Sequence, residues 1–335
     1  MPTFVPRTRF PHVTLQSWFP GHMLVGFRKM KALLSDIDLI IEARDARLPI
    51  SSRNPIFEKE FGNKERIVVY NKRDLAGTFS EDRVRMLSPE VEVIFNNTFD
   101  RKSLGYFLGT LKKRALQMSS MKVLIVGMPN VGKSSIINAL RSSGLQRGKA
   151  VATGRQAGIT RKVTALLIPL ACATDQDNAD RYIGVFIPFV PNPETMLKFA
   201  LTGCIKDSLY DYHTIADYLL YHLNLYDPSI YMSLCRMNEP TNEIETVLHE
   251  VALRTGKLNK GGMANSDAAA EYLVHRYRVG DMGKFVLDEI DEKSVSERLK
   301  LEREAKSRSM LRKEASAERD KKREGKRLRK LDDVT

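Results

Sequence analysis

The sequence predicts an α/β fold with a mostly parallel sheet and helices on both of its faces, followed by a small helical C-terminal domain and a charged tail. The first observation is a set of β-like runs at residues 38–46, 66–71, 91–97 and 122–127, which helix-compatible segments separate. Strands that alternate with helices in this way are typical of a parallel sheet. The second observation is that strand-like runs give way to helical patterns after residue 207, which indicates a separate helical region.

These patterns divide the 335 residues into four regions, a length that can bury an α/β core and still carry a second small domain. We expect a basic N-terminal arm and helix at 1–35, an α/β domain at 36–207, a helical domain at 208–290 and a charged tail at 291–335. Residues 22–35 have the apolar spacing of an amphipathic helix. In the helical domain, residues 264–280 give the clearest helix, with Ser266 or Asp267 as its N-cap and Gly280 as its stop.

The composition favours a polyanionic partner in a reducing compartment. Lys and Arg total 54 against 41 Asp and Glu, and the net charge of +13 suits RNA or an anionic membrane surface, between which charge alone does not choose. No stretch approaches the roughly 18–20 apolar residues of a spanning helix, so any membrane association would be peripheral. The three cysteines are isolated and lack metal-ligand spacing, which predicts free thiols.

Both ends of the chain are basic, and each allows two interpretations. The first 35 residues contain five basic residues and no acidic one, which suits either a mitochondrial targeting segment or a basic arm. From Asp291 onward there are 16 basic and 11 acidic residues, a composition that cannot bury a core. This tail is either a solvated face or, through its basic cluster at 321–330, a segment that docks on RNA.

A phosphate-binding loop follows the fourth predicted strand. Residues 127–134 fit G-x-x-x-x-G-K-[ST] and open a helix, which is the context that this motif requires. Gly127 and Gly132 let the backbone wrap around phosphate oxygens, while backbone N–H groups, the helix N-terminus and the Lys133 ammonium meet their charge. Ser134 offers a hydroxyl group to Mg²⁺. This loop alone would serve an ATPase or a kinase equally well.

A second motif selects the base. Residues 71–74 read Asn-Lys-Arg-Asp at the end of a hydrophobic strand. The acceptor-only carboxylate of Asp74 can pair with the N1–H and exocyclic amine of guanine, which adenine does not present. Adenine would leave that acceptor unpaired, so the pocket would reject it. Asn71 and Lys72 would hold the turn and pack on the base, and the two motifs together predict a GTP/GDP site.

The guanine motif precedes the phosphate loop along the chain, although GTP-binding proteins normally have the opposite order. Strand ends, not sequence order, build the pocket, and a domain with neighbouring termini can be cut elsewhere and rejoined. The sequence therefore predicts a P-loop GTPase domain with circularly permuted motif order. The permutation also attaches the segment after the switch region directly to the C-terminal domain. We therefore hypothesise that this connection transmits the nucleotide state to the C-terminal domain.

Six motifs carry a family resemblance: WFPGHM (18–23), DARLPISSRNP (45–55), NKRD (71–74), GMPNVGKSS (127–135), GITR (158–161) and GVFIP (184–188). With them the chain resembles the circularly permuted ribosome-assembly GTPases of the YlqF/RbgA type, and most closely the mitochondrial ribosome-associated members. They span most of residues 18–207, and the later helical region is similar in outline.

The resemblance implies roles for individual residues. Thr160 matches the switch threonine that joins Ser134 at Mg²⁺, and Asn130 matches an asparagine associated with K⁺-stimulated turnover. Gly184 matches a glycine whose amide senses the γ-phosphate, and Val185 matches the hydrophobic residue that replaces the usual catalytic glutamine, so His22 becomes the candidate for orienting water. Further nucleotide contacts are expected from Val131, Gly132, Lys133 and Ser135 and from the second base loop, where Asn96 and Asn97 match poorly.

One departure from the family concerns the switch Asp-x-x-Gly. Arg181, Tyr182 and Ile183 precede Gly184, so no aspartate has the required spacing. Either Asp180 or a neighbour substitutes for it, or the strand is lost, or the stretch reflects an unusual or faulty gene model. The departure leaves the guanine and phosphate contacts intact and brings hydrolysis into question.

The resemblance implies a Mg²⁺-dependent GTPase that binds the large mitochondrial ribosomal subunit and its rRNA in the GTP state and leaves after hydrolysis. We expect a monomer in the mitochondrial matrix that can lie peripherally on the inner membrane. Two alternatives remain: a GTP-binding assembly scaffold with negligible hydrolysis, and a P-loop ATPase or nucleotide kinase, for which ATP would compete with GTP.

Overall fold

A computed structural model describes residues 4–11, 30–54, 60–116, 120–144, 166–169 and 193–304. By its internal contacts the chain divides into two units, residues 1–295 and residues 296–335. Of the second unit, only residues 296–304 are described, and they continue a helix.

In the part of the chain that the structure describes, five strands form one sheet in the order β3-β2-β1-β4-β5. Their bounds are β1 Leu39–Asp45, β2 Arg66–Asn71, β3 Glu92–Phe95, β4 Ser120–Gly127 and β5 Leu166–Pro169. The first four run parallel, and β5 lies antiparallel to β4. The predicted mostly parallel sheet and its four strands are therefore confirmed, and the antiparallel edge strand is an addition to them.

The central strands are buried on both faces, because alternate side chains along a strand point to opposite sides. In β1, Leu39 and Ile41 join a large apolar cluster that includes α2 residues such as Phe107, whereas Ile40 packs in a second cluster with Leu124 of β4. Every residue of β1 is buried. Continuous apolar runs in the sequence were thus a correct signal of a parallel sheet between two helical layers.

Helices connect and follow the strands. Those within the sheet region are α1 Glu81–Met86, α2 Arg101–Ala115 and α3 Lys133–Gly144, and those after it are α4 Pro193–Leu201, α5 Tyr212–Tyr226, α6 Ser229–Cys235, α7 Ile244–Thr255, α8 Ser266–Val279 and α9 Glu292–Glu304. Short 3₁₀ turns lie at Leu34–Asp36, Arg73–Leu75 and Asp207–Leu209.

Apolar side chains of the later helices belong to the same buried cluster as the strands. Ile41 and Ile125 of the sheet share it with Phe199 of α4, Tyr218 of α5 and Tyr277 of α8. Within residues 1–295 the helical region therefore extends the core of the sheet and does not form an isolated one.

Helix α8 corrects one prediction. Its N-cap is Asn265, whose side chain accepts a hydrogen bond from the Ala268 N–H, so neither Ser266 nor Asp267 caps the helix as predicted. Asparagine is as good an N-cap as serine or aspartate, and the local pattern could not choose among three adjacent candidates. The predicted stop is confirmed, because Gly280 ends the helix with φ of 93°.

The N-terminal residues 4–11 lie against α5. Arg7 donates from both guanidinium NH₂ groups to the Asp217 carboxylate, and the Phe10 ring meets the Tyr218 ring edge-on at 5.1 Å.

Of the helix predicted at 22–35, residues 30–33 are helical and residues 22–29 lie outside the described part. In the described ranges, no helix has the length and apolar character needed to cross a membrane. Cys204 and Cys235 are buried free thiols.

Candidate functional site

The carboxyl ends of three neighbouring strands meet at one edge of the sheet. Asp45, the last residue of β1, is paired with Asn71, the last residue of β2. Ala43 of β1 is paired with Gly127, the last residue of β4. The guanine turn and the phosphate loop, which follow β2 and β4, therefore begin at the same edge, as expected for a ligand site in a parallel sheet.

The phosphate loop requires glycine at both of its motif positions. Gly127 has φ of 143°, and a Cβ there would lie 2.1 Å from the Ala43 carbonyl oxygen. Gly132 has φ of 93°, and a Cβ there would lie 2.1 Å from the Asn71 side-chain nitrogen. Asn130 also has a left-handed backbone, with φ of 56°. The loop thus wraps tightly at the start of α3, where N–H groups and the helix dipole favour an anion.

Lys133 lies in the first turn of α3, and its ammonium donates to the Met128 carbonyl inside the loop. Burial, against an opposing effect of Cys204 and with a smaller contribution from the charge of Lys72, lowers the pKa of Lys133 to about 8. A bound polyphosphate would favour the charged form and raise that pKa again. Ser134 and Ser135 follow directly on the same helix, so the predicted phosphate contacts are adjacent in space.

The guanine turn leaves its acidic residue accessible. Asn71 is buried at the end of β2, Lys72 adopts a left-handed conformation with φ of 58°, and Arg73–Leu75 form a 3₁₀ turn. The Asp74 side chain is exposed and makes no hydrogen bond or ion pair with the described residues. A carboxylate in this state can accept two hydrogen bonds from guanine.

Hydrogen bonds join the guanine turn, the phosphate loop and the second base loop. The Asn71 side chain donates to the Val131 carbonyl at 2.9 Å and accepts from the buried Asn96 side chain at 2.9 Å. Asn97 follows Asn96, and its backbone N–H donates to the Ser103 hydroxyl at 2.9 Å. Although Asn96 and Asn97 match the family poorly in sequence, they lie next to the other two loops.

A carboxylate that sequence reasoning left without a role supports the guanine turn. Asp45 is fully buried, pairs with Arg47 at 2.8 Å and lies 3.2 Å from the Lys72 ammonium. Burial alone would raise the pKa of Asp45, but Arg47 and Lys72 hold it well below its usual range. The DARLPISSRNP motif marked the residue, but a family motif does not state which side chain it touches.

The region after α8 packs on the loop that follows β1. The Asp288 carboxylate accepts from the backbone N–H groups of Ile50 and Ser51 at 2.9 and 2.7 Å, and from the Ser51 hydroxyl at 2.6 Å. The Lys198 ammonium lies 3.2 Å from it. The contacts of Asp288 with Ile50 and Ser51 join residues more than 200 positions apart, and Lys198 is 90 positions away, so no local sequence signal could have shown them.

A second contact links the phosphate loop to α8. The Asn130 side chain donates to the Gly203 carbonyl at 2.7 Å. The Arg278 guanidinium of α8 donates to the Leu201 and Ala200 carbonyls just before that glycine. The segment 200–203 therefore connects α8 with Asn130, the residue for which the family resemblance implies a K⁺-related role.

Several predicted site residues cannot be placed. His22, Thr160 and Gly184 lie outside the described residues, as do Val185, Asp180 and the stretch 181–183. Their predicted roles remain predictions. The described part brings together every other predicted nucleotide contact, and a guanine turn joined to a phosphate loop at one sheet edge defines a GTP-binding P-loop protein with permuted motif order.

Comparison with known proteins assigns the family. The chain is 38% identical over 325 residues to Mitochondrial GTPase 1 of Schizosaccharomyces japonicus, a match that covers 89% of this chain and 98% of the relative. It is 34% identical over 297 residues to Mitochondrial ribosome-associated GTPase 1 of Xenopus tropicalis, covering 81% of this chain and 94% of that one. The chain therefore belongs to the mitochondrial GTPase 1 family and is a GTPase.

Two further comparisons agree with this assignment. A family model described as a 50S ribosome-binding GTPase matches residues 122–172, which include the phosphate loop. The solved structure of GNP-bound YlqF from T. maritima matches with a TM-score of 0.51 at 21% identity, covering 79% of this chain and 98% of that chain, so the two share a fold. The resemblance and the GTPase fold inferred from sequence are thus confirmed.

Proposed function

We propose that the chain is a GTP-dependent assembly factor for the large mitochondrial ribosomal subunit, which it binds in the GTP state and leaves after hydrolysis. The proposed nucleotide binding is supported above all by the Asn71 side chain, which forms hydrogen bonds with both the phosphate loop and the second base loop. Support for the ribosomal part comes from the names of the relatives and from the net charge of +13. A mitochondrial location follows from the same relatives.

Named residues take the following roles in this proposal. Asp74 accepts hydrogen bonds from guanine, the phosphate loop and Lys133 hold the phosphates, and Ser134 with Thr160 ligates Mg²⁺. The described part fits a metal there, since Ser134 stands in the first turn of α3 directly after the phosphate loop. Mg²⁺ would neutralise charge on the phosphates, and the chain's own groups orient the water and the nucleotide.

Hydrolysis is proposed to depend on His22, which would orient the attacking water, and on the Gly184 amide. Asn130 would support stimulation by K⁺. A second candidate is a GTP-binding scaffold with negligible turnover, which the absence of a spaced aspartate before Gly184 favours. Single-turnover hydrolysis with and without large subunits separates the two: faster phosphate release with subunits supports the assembly GTPase, and no stimulation supports the scaffold.

Nucleotide choice is tested with Asp74→Asn. An asparagine presents a donor where guanine offers its exocyclic amine, so we expect GDP affinity to fall by about tenfold or more. Xanthine has a carbonyl at that position, so xanthosine diphosphate should bind the variant better than the parent. Calorimetric titration with both nucleotides measures this. An unchanged nucleotide preference would contradict the assignment of the guanine turn and would favour an ATPase or a kinase.

Subunit binding is tested by cosedimentation with large mitochondrial subunits, comparing GDP with a non-hydrolysable GTP analogue. More binding with the analogue supports the proposed cycle. Deletion of residues 318–335 should weaken binding and flatten its salt dependence, because fewer phosphates would then be neutralised. An unchanged salt titration would mean that the tail is a solvated face.

A further inference from the structure

One face of α2 is unusual for a helix that covers a sheet. Phe107, Leu111 and Ala115 are buried on its inner side. The opposite side, which we call the α2 stripe, consists of Phe99 just before the helix and of Lys102, Gly105, Tyr106, Gly109 and Lys113. The last five follow the 3- and 4-residue spacing that places side chains on one helix face.

The two glycines are not explained by packing in the described part of the chain. Glycine weakens a helix interior because it has the greatest backbone freedom to lose. A Cβ added at Gly105 or Gly109 would meet nothing within 4 Å, and neither glycine has a positive φ. Because Gly105 and Gly109 have no side chains, they leave a strip of bare helix backbone that another molecule can approach closely.

The charge of this helix has one sign. Residues 101–115 include five basic residues and no acidic one. Arg114 is paired with the Glu65 carboxylate and with the Glu92 carboxylate, the latter at 2.6 Å. The other four, Arg101, Lys102, Lys112 and Lys113, are exposed and make no ion pair with any described residue. Such a concentration of unpaired cations suits a run of phosphates.

Two aromatic side chains accompany the lysines. Phe99 is 89% exposed and Tyr106 is 66% exposed. Singly exposed aromatics are common on protein surfaces. Here, however, Tyr106 shares its helix face with unpaired lysines and bare backbone, and Phe99 comes two residues before the helix begins. Exposed aromatic rings beside such cations are the combination that binds a nucleic-acid strand by stacking on bases and by contacting its phosphates.

We propose that the α2 stripe is a docking surface for ribosomal RNA. Lys102 and Lys113 contact phosphates, an unpaired base stacks on Phe99 or Tyr106, and the glycines let the RNA backbone approach the helix. This inference rests on the proposed function, and it names a surface that the basic ends of the chain do not include.

The stripe begins beside the nucleotide loops. The Phe99 backbone N–H donates to the Asn97 side-chain oxygen at 2.9 Å, and Ser103 in the first turn of α2 accepts from the Asn97 N–H. RNA docked on the stripe therefore contacts the segment that also forms the second base loop.

The first test removes charge. Lys102→Gln with Lys113→Gln is compared with Lys122→Gln plus Lys206→Gln, a control that removes the same charge at two exposed lysines elsewhere. Binding to large mitochondrial subunits is measured by cosedimentation with a non-hydrolysable GTP analogue at several salt concentrations. The stripe pair should bind about tenfold more weakly, with a log–log salt slope shallower by roughly 1.5, while the control stays within about twofold. Equal losses in both variants would overturn the proposal.

The second test fills the bare backbone. Gly105→Leu with Gly109→Leu should leave GDP affinity unchanged and keep or raise Tm, since leucine favours the helix and a Cβ at either position meets nothing within 4 Å. Subunit binding should nevertheless fall by about tenfold or more. A more stable variant that binds subunits like the parent would show that the stripe faces only solvent.

The third test identifies the partner. A photoactivatable residue in place of Gly105 should crosslink to ribosomal RNA, and Phe99→Ala with Tyr106→Ala should reduce binding at least about fivefold. Crosslinks to a ribosomal protein alone would overturn the RNA assignment. A parent chain that does not sediment with subunits contradicts the proposed function itself, whereas a binding parent with equally binding stripe variants contradicts only this inference.

Discussion

Asp45 holds two cations at once, because its carboxylate lies 2.8 Å from the Arg47 guanidinium and 3.2 Å from the Lys72 ammonium. Arg47 is as deeply buried as Asp45 and lies 5.3 Å from the centre of the Tyr277 ring. Removal of one member of a buried pair leaves the other charge without compensation, which costs more than the pair itself contributes. We therefore expect the carboxylate to contribute to stability and, through Lys72, to the proposed nucleotide site.

Asp45→Asn should lower the free energy of unfolding by about 3 kcal/mol at neutral pH. It should also weaken GDP binding by about tenfold, since Lys72 would lose the anion that orients it. Urea unfolding and calorimetric titration measure the two effects. Glu42→Gln is the matched control, because Glu42 is also a buried carboxylate of β1 and pairs with Arg44 at 2.7 Å. It should cost stability and leave GDP affinity unchanged; equal losses of affinity would contradict the positioning role.

The stability that Asp45 provides should depend on pH. Burial acts to raise its pKa, but Arg47 and Lys72 depress the folded-state pKa well below the unfolded value of about 3.9. The contribution is thus fully present above about pH 4 and is lost as the pH falls further, when the unfolded state takes up the proton first. The difference in stability between parent and Asp45→Asn should shrink below pH 4. A constant difference from pH 7 to 3 would contradict this account.

The sequence points more directly to the residues proposed to contact the nucleotide than to those that support them. Asp74 and Gly132 could be predicted because guanine chemistry and tight loop geometry require those residue types at fixed spacing. Asp288 could not, because its partners Ile50 and Ser51 are distant in the chain and any acceptor at that point would satisfy their N–H groups. Supporting contacts of this kind depend on tertiary packing and leave no local pattern.

The guanine turn and the segment after α8 fit together without space for a side chain. A Cβ on Gly77 would lie 2.0 Å from the Lys284 carbonyl oxygen, and one on Gly280 would lie 2.7 Å from the Leu75 side chain. The two segments therefore restrict each other's position, and the turn proposed to bind guanine packs against the helical region.

Gly77→Ala should displace the segment after α8 and loosen the guanine turn. We expect the free energy of unfolding to fall by about 2–4 kcal/mol and GDP to bind several-fold more weakly. Gly256→Ala is the matched control: its φ of 68° is close to the 62° of Gly77, but a Cβ there meets nothing within 4 Å. The control should cost only about 1 kcal/mol, from backbone strain. Equal effects of the two substitutions would mean that the Lys284 contact has no influence on the turn.

Strands were easier to predict than the details at the ends of elements. The run 66–71 matches β2 residue for residue, because an uninterrupted apolar stretch ending in Asn-Lys has no alternative register. By contrast, the N-cap of α8 was wrong by one position, since Asn265, Ser266 and Asp267 are all suitable caps and only the final helix geometry selects one. Strand β5 gave no clear signal, as an edge strand of four residues needs little apolar length.

Residues 1–295 should unfold as one unit, although sequence composition suggested an α/β domain at 36–207 and a helical domain at 208–290. The buried cluster is continuous from the sheet to α8, and Arg47, Ser51 and Gly77 all contact residues after 276. A chain that ends at residue 207 would lose these partners and expose the apolar faces that the helices cover. Such a chain should therefore bind GDP far more weakly than the full chain and expose apolar surface.

Calorimetric scans of the full chain, of a chain ending at residue 295 and of a chain ending at residue 207 provide the measurement. The first two should each show one main unfolding transition. GDP at a hundred times its Kd should stabilise the folded state by about 2.7 kcal/mol, because the ligand binds only that state. Two separate transitions, of which GDP shifts only one, would show that the helical region folds independently. A chain of residues 1–207 that binds GDP like the full chain would lead to the same conclusion, because the pocket would then hold its shape without Tyr277, Lys284 and Asp288.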